Sequence, residues 1–253
     1  MSKLPKSHQF VDLSDYGRPV ARMIAQSLKE TNFTPIHVTI WFIISGLIAI
    51  FCILFGHPVA AAFFLIFKSI LDAADGELAR LKNTPSYTGR YFDSVADILL
   101  NMLILAAIWY ITDASVLYTI LAFCGIQLQG TLYNYYYVIL RNRFNGDTTS
   151  RIFEDETPIA MKGETQASVN FFFKLYKMLY GHFDRIIFNL DRNAPSSKLF
   201  PKWFMTAVST FGLGFQLLVI ALMLVLGWQA YIIPFFIVYS LAILLFIAVR
   251  RFL

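Results

Sequence analysis

Six apolar stretches, at roughly 36–56, 58–80, 92–112, 115–140, 203–227 and 229–249, dominate this chain. Each is long enough to cross the hydrocarbon core of a bilayer, which takes about 20 apolar residues. A backbone in lipid must satisfy its polar groups internally, so such runs fold as helices. Composition agrees. Of 253 residues, 57% are hydrophobic and only 15% charged, whereas soluble globular domains are about 45–50% apolar and about 25% charged. The expected fold is an all-α integral membrane protein with six transmembrane helices, forming a single domain over 1–253. The polar start of the chain has no apolar core of a cleaved leader, so the first run is expected to stay as a permanent helix.

The positions of the cations orient these spans. With the N-terminus cytoplasmic, twenty of the 21 Lys and Arg fall on the inner side, and the twenty-first, Lys68, lies inside the second span. The outer loops GHP, TDAS and GWQA carry none. The positive-inside rule therefore predicts both termini and the inner loops in the cytoplasm. The net charge of +5 is accounted for by loops that face anionic lipid headgroups, and calls for no nucleic-acid partner. Cys52 and Cys124 lie in apolar runs and read as packing residues.

Two amphipathic segments are expected outside the spans. In residues 1–35, Arg22, Lys29 and Glu30 alternate with Met23, Ile24 and Leu28, the pattern of a short interfacial helix. Within the inter-helix segment 141–202, the apolar positions 171, 172, 175, 178, 179, 183, 186, 187 and 190 predict a long amphipathic helix on the cytoplasmic membrane face. Residues 154–168, EDETPIAMKGETQAS, read as a solvated loop.

Against this background the stretch DAADGELARLKNTPSYTGRYFDSVAD, residues 72–97, is chemically out of place. At about 100° per residue, Asp72, Asp75, Gly76 and Ala79 share one helix face, with Lys68 one turn earlier on the same stripe. Gly89, Asp93, Asp97 and Asn101 repeat at intervals of four on the next helix. The polar linker with Pro85 turns the chain back between them. A single Asp at a helix end is ordinarily a cap or a surface charge. Four on two converging stripes require neutralisation, by protons or by metal, and oxygen-rich clusters suit hard divalent cations such as Mg²⁺ or Mn²⁺.

Written as spacing, these residues are Asp72-x2-Asp75-Gly76-x2-Ala79-Arg80-x8-Gly89-x3-Asp93-x3-Asp97, which resembles the signature of the CDP-alcohol phosphotransferase family at all eight fixed positions. The resemblance implies transfer of a substituted phosphate from a CDP-linked donor to an alcohol, with release of CMP. It implies that Asp72, Asp75, Asp93 and Asp97 hold two divalent cations, that Asp97 is the general base, and that the fold forms a homodimer. Gly76, Ala79, Arg80 and Gly89 would bind the donor nucleotide and phosphate, although small residues also serve close helix packing.

Further contacts are expected from residues near the motif. Lys68 either pairs with Asp72 or reaches a donor phosphate. Where the family has a Thr-Pro-Asn start to the first span, Thr34-Pro35 is followed here by Ile36, which leaves Thr39 as the donor contact on that helix. Gln127, Gln129, Asn134 and Tyr135 line a polar cavity for the acceptor or belong to a Tyr-rich interfacial belt. His182 and Arg185 touch the acceptor headgroup or simply face water. The favoured substrates are CDP-diacylglycerol and a small polar alcohol, in phospholipid biosynthesis. The alternative is transfer from CDP-inositol or a CDP-aminoalcohol to a lipid or an inositol phosphate. A cation-coupled transporter, the reading from a different class, predicts ionisable groups spread through the bilayer depth and internal repeats.

Overall fold

The computed structural model describes residues 4–144, 154–197 and 200–253. Lys3 and residues 145–153 and 198–199 of the expected inter-helix segment lie outside the described residues. Every regular element among the described residues is helical. In chain order these are α1 (Arg18–Leu28), α2 (Pro35–Leu54), α3 (Pro58–Leu81), α4 (Tyr87–Thr112) and α5 (Val116–Arg143). There follow α6 (Gln166–Leu190), α7 (Lys202–Val208), α8 (Leu213–Val225), α9 (Ile232–Tyr239) and α10 (Ala242–Phe252).

Helix α3 is central and packs against α1, α2 and α8. Prolines open both α2 and α3, where the missing N–H removes no helical bond. Buried Ala21 and Ala25 bring α1 close to α3, and Gly17 lies so near Ile70 that an added Cβ would fall 2.6 Å from its Cγ1. Helix α4 packs on α2, α5 and α6.

Among the described residues, four helices are long and apolar enough to cross a membrane: Pro35–Leu54, Tyr87–Thr112, Val116–Arg143 and the run Gln229–Phe252. Helix α3 has the length, at 24 residues, but carries Lys68, Asp72 and Asp75 along it, which lowers its apolar content. The expected fifth span is not continuous. Lys202–Phe211 and Leu213–Val225 meet at 55° and would make a fifth crossing only as a bent pair.

The break has a local cause. Gly212 is extended, at φ −70° and ψ 150°, and the turn Leu13–Asp15 is wedged against it. An added Cβ on Gly214 would lie 1.9 Å from the Ser14 carbonyl oxygen, and one on Gly212 2.3 Å from Ser14 Cβ. The Leu13 N–H donates to Ser209 Oγ at 2.9 Å, which anchors the wedge on the α7 side.

Helix α6 presents two faces. Phe171, Met178 and Ile186 are exposed, whereas Val169, Phe173 and Ile187 are buried against the bundle. The segment before it is not merely solvated. Glu154 and Glu164 reach across to the start of α4.

Candidate active site

The two motif helices are joined by a tightly specified turn. At the end of α3, Asn83 is left-handed at φ 51°. The Thr84 N–H bonds Ala79 O at 3.0 Å and the Asn83 N–H bonds Arg80 O at 3.3 Å. This is the Schellman pattern, which satisfies the last carbonyls and ends the helix. Two residues on, Ser86 caps α4 by accepting from the Gly89 N–H at 2.9 Å.

Glu164 completes the α4 cap. It accepts from Ser86 Oγ at 2.8 Å, from the Thr88 N–H at 2.8 Å and from the Tyr87 N–H at 3.2 Å. A carboxylate at a helix N-terminus is also favoured by the helix dipole. Burial pushes the Glu164 carboxyl up, but the donors of Met161, Thr88 and Ser86 outweigh this and hold it below the ordinary glutamate value. One turn into α4, Arg90 pairs with Glu154 at 2.5 Å and the Tyr91 hydroxyl donates to the same carboxylate at 2.9 Å.

This turn brings the carboxylates together. Oxygens of Asp72, Asp75 and Asp93 all lie within 4.8 Å of one another. Asp75 is buried and accepts from Thr39 Oγ1 at 2.8 Å. Asp93 Oδ1 is buried with no hydrogen-bond partner among the described residues. Three converging carboxylates and an orphaned acceptor oxygen fit a hard divalent cation. The same oxygens left to themselves would repel.

Asp97 stands apart from this group. Its Oδ1 is engaged by Lys68 Nζ in an ion pair, and Lys68 is fully buried, with its ammonium 5.0 Å from the Phe42 ring centroid. Lys68, expected either to pair with Asp72 or to reach a donor phosphate, makes its direct ion pair across to Asp97 on α4 and is not among the residues that line the cavity.

That cavity has a volume of about 970 Å³ and is lined by all four aspartates together with Gly76, Ala79, Arg80 and Gly89. The two glycines are not demanded by helix packing. An added Cβ at Gly76 would meet only the Arg80 guanidinium at 3.4 Å, and at Gly89 only Ser86 at 3.5 Å, both ordinary contacts. Their small size leaves room in the cavity instead. Arg80 leans on the buried Glu77 at 3.2 Å, and Glu77 also holds Arg18 at 2.6 Å. Arg80 Nε is buried without a partner, so the guanidinium has hydrogen-bonding capacity unspent on protein.

The other expected contacts divide. Thr39 and Gln127 are buried and Asn134 exposed, and all three line the cavity. Tyr135 also lines it, with its hydroxyl donated to Asp191 O at 3.1 Å. Gln129 lies outside the cavity lining and bonds Ser240 Oγ at 3.0 Å. His182 and Arg185 are exposed and lie outside the lining.

Their neighbour Asp184 lines the cavity instead, with Tyr176 and Tyr180 on the same face of α6. Burial pushes the Asp184 carboxyl up to about 6, and Tyr176 Oη donates to it at 3.2 Å. Sequence reasoning missed Arg18, Glu154, Glu164 and Asp184. The one available signal was the spacing of Val169, Phe173, Tyr176, Tyr180, Asp184 and Ile187, a second helical stripe beside the more apolar one.

No curated protein matches the chain significantly. A family model for CDP-alcohol phosphatidyltransferase matches residues 32–173. That span runs from the start of α2 to the α6 face that closes on α4, and it holds every residue of the carboxylate group. On a match covering more than half its length, the chain belongs to the CDP-alcohol phosphatidyltransferase family.

Proposed function

We propose that the chain is a multi-pass membrane transferase that moves a phosphatidyl group from CDP-diacylglycerol to the hydroxyl of a small polar alcohol, releasing CMP. In this reading α3 spans as well, with its charged face turned inward, which gives six crossings. Both termini and the cavity mouth face the cytoplasm, and the exposed apolar face of α6 lies on the inner membrane surface. The protein works as a homodimer.

Asp97 takes the proton of the acceptor hydroxyl. The alcohol oxygen then bonds to the phosphorus that carries diacylglycerol, the bridging P–O bond breaks, and its electron pair leaves with CMP. Lys68 holds Asp97 Oδ1 and so orients the other oxygen toward the cavity. Arg80 and Arg18, braced by Glu77, offer guanidinium donors to the donor phosphates. Thr39 fixes Asp75 in place. Asp72, Asp75 and Asp93 would hold divalent cations, Mg²⁺ or Mn²⁺, which supply positive charge against the pyrophosphate and the leaving CMP.

The observation that carries this reading is the division of the four aspartates, three converging on one another and the fourth held by a buried lysine. The experiment is CMP release by purified protein offered CDP-diacylglycerol, CDP-inositol and CDP-aminoalcohols with a panel of alcohols. Release from CDP-diacylglycerol, stopped by EDTA and restored by Mg²⁺ or Mn²⁺, is the expected result. Release only from a CDP-linked headgroup would reverse the direction of transfer, and full activity after chelation would refute the metal roles.

A further inference from the structure

Two polar side chains on α5 each leave a buried polar atom without a hydrogen-bond partner among the described residues. Gln127 is 4% exposed and Thr131 6% exposed. Both line the cavity, yet Gln127 Nε2 and Thr131 Oγ1 are buried without a hydrogen-bond partner. A buried amide or hydroxyl left unsatisfied is unfavourable, so such groups mark places where something outside the protein supplies the partner. They are four residues apart, hence on one helix face.

Their level in the bundle can be read from the chain itself. Helices α4 and α5 are antiparallel neighbours joined by the short loop 113–115. Asp97 lies fifteen residues before the end of α4 at Thr112, and Thr131 fifteen residues after the start of α5 at Val116. Asn101 and Gln127 each lie eleven residues from the same loop. At 1.5 Å per residue, Thr131 is level with Asp97, about 22 Å from the loop. Gln127 is level with Asn101, about 16 Å from it. Asn101 is itself buried and lines the cavity.

The charges are distributed differently. The cations lining the cavity are Arg18, Arg80, Lys82, Arg90, Arg141 and Lys162. The first five sit at helix ends and Lys162 in the segment before α6. Among the described residues, the basic group at the level of Asp97 is Lys68, which that carboxylate already engages. The cavity therefore has a cationic mouth suited to phosphates and an inner chamber of amides and hydroxyls beside the fourth aspartate.

We infer that Gln127, Thr131 and Asn101 form the acceptor subsite and select an uncharged polyhydroxy alcohol over a phosphorylated one. This rests on the transferase reading above. A polyol offers several hydroxyls that donate and accept at once, which matches an amide N–H, a threonine hydroxyl and an asparagine side chain. A phosphate in the inner chamber would lack a counter-ion, and burying it unpaired is strongly unfavourable. The subsite also holds one hydroxyl beside Asp97, the group that takes its proton.

The test uses the purified full chain with CDP-diacylglycerol as donor and CMP release as readout. The acceptors are myo-inositol, glycerol, glycerol 3-phosphate and serine. A neutral polyol is expected to give a kcat/KM at least tenfold above glycerol 3-phosphate. Gln127→Leu and Thr131→Val are each expected to raise the polyol KM at least tenfold while the CDP-diacylglycerol KM stays within twofold. Because the wild-type groups are unsatisfied in the unliganded fold, both variants should melt at or above the wild-type temperature. A lowered Tm with an unchanged polyol KM would show a structural role and overturn the inference, as would turnover confined to charged alcohols. No CMP release with any acceptor overturns the transferase reading and this inference with it.

Discussion

Lys68→Met isolates the interaction on which the proposed role of Asp97 depends. The ammonium is fully buried and its partner carboxylate is 13% exposed. Removing one member of a buried ion pair leaves an uncompensated charge, typically at about 3–5 kcal/mol. The slight exposure of Asp97 onto the cavity argues for the lower end, about 3 kcal/mol. For a chain of this size that corresponds to a fall in Tm of about 6–12 °C, at about 2–4 °C per kcal/mol. Methionine keeps the length and apolar stem of the lysine, so packing against Phe42 changes little.

The double variant Lys68→Met/Asp97→Asn removes both charges. Most of the loss should then return, to within about 1 kcal/mol of wild type, about 2 kcal/mol better than Lys68→Met alone. The assay is thermal melting of the purified variants in one detergent at one pH, with CMP release measured alongside. Lys68→Met should also lose most of its transferase activity, because general-base catalysis contributes about 10²–10⁴-fold and the base has lost the group that orients it. Additive Tm changes, or Lys68→Met activity within threefold of wild type, would refute the reasoning.

Asp97→Asn should abolish transfer while CMP still protects the protein against melting in the presence of Mg²⁺; wild-type turnover would remove Asp97 as base. Gly76→Ala should fold with a Tm within about 1 °C of wild type, since the added methyl meets only a movable guanidinium, yet raise the donor KM at least tenfold by filling the cavity. A lowered Tm with unchanged donor KM would instead make Gly76 a packing residue. Glu164→Gln should destabilise by about 0.5–2 kcal/mol, the range of helix-capping substitutions. Because the folded carboxyl titrates below its unfolded value, its stabilisation is present above the ordinary glutamate range and is lost as pH falls through the folded value. The Tm gap between wild type and Glu164→Gln should therefore be widest near neutral pH and close in acid; a gap independent of pH would contradict the charged-cap reading.

Local periodicity made the carboxylates legible. Their placement on two stripes needs only 100° per residue and a turn, and the structure supplies both. The same arithmetic did not reveal the direct partner of Lys68. Helical spacing puts it above Asp72 on its own helix, but its partner is decided by how α3 crosses α4, which no single-helix argument contains. Likewise Glu154 and Glu164 bond to residues 63 to 78 positions away, and composition alone makes their segment look solvated. The bend in the fifth apolar run was hidden for a related reason. Hydropathy is indifferent to Gly212-Leu213-Gly214, whereas a wedge from the other end of the chain is not.

That wedge sets an order of events during synthesis. The turn Leu13–Asp15 reaches its seat only after Ser209, Gly212 and Gly214 have emerged, a contact spanning 196 residues. Asp12, Ser14 and Asp15 also line the cavity. A nascent chain with α3 and α4 already inserted therefore carries its aspartates on a chamber that lacks one wall. That side of the cavity is therefore built from two segments far apart in the chain, and neither the Leu13–Asp15 turn nor the Ser209–Gly214 bend closes it without the other.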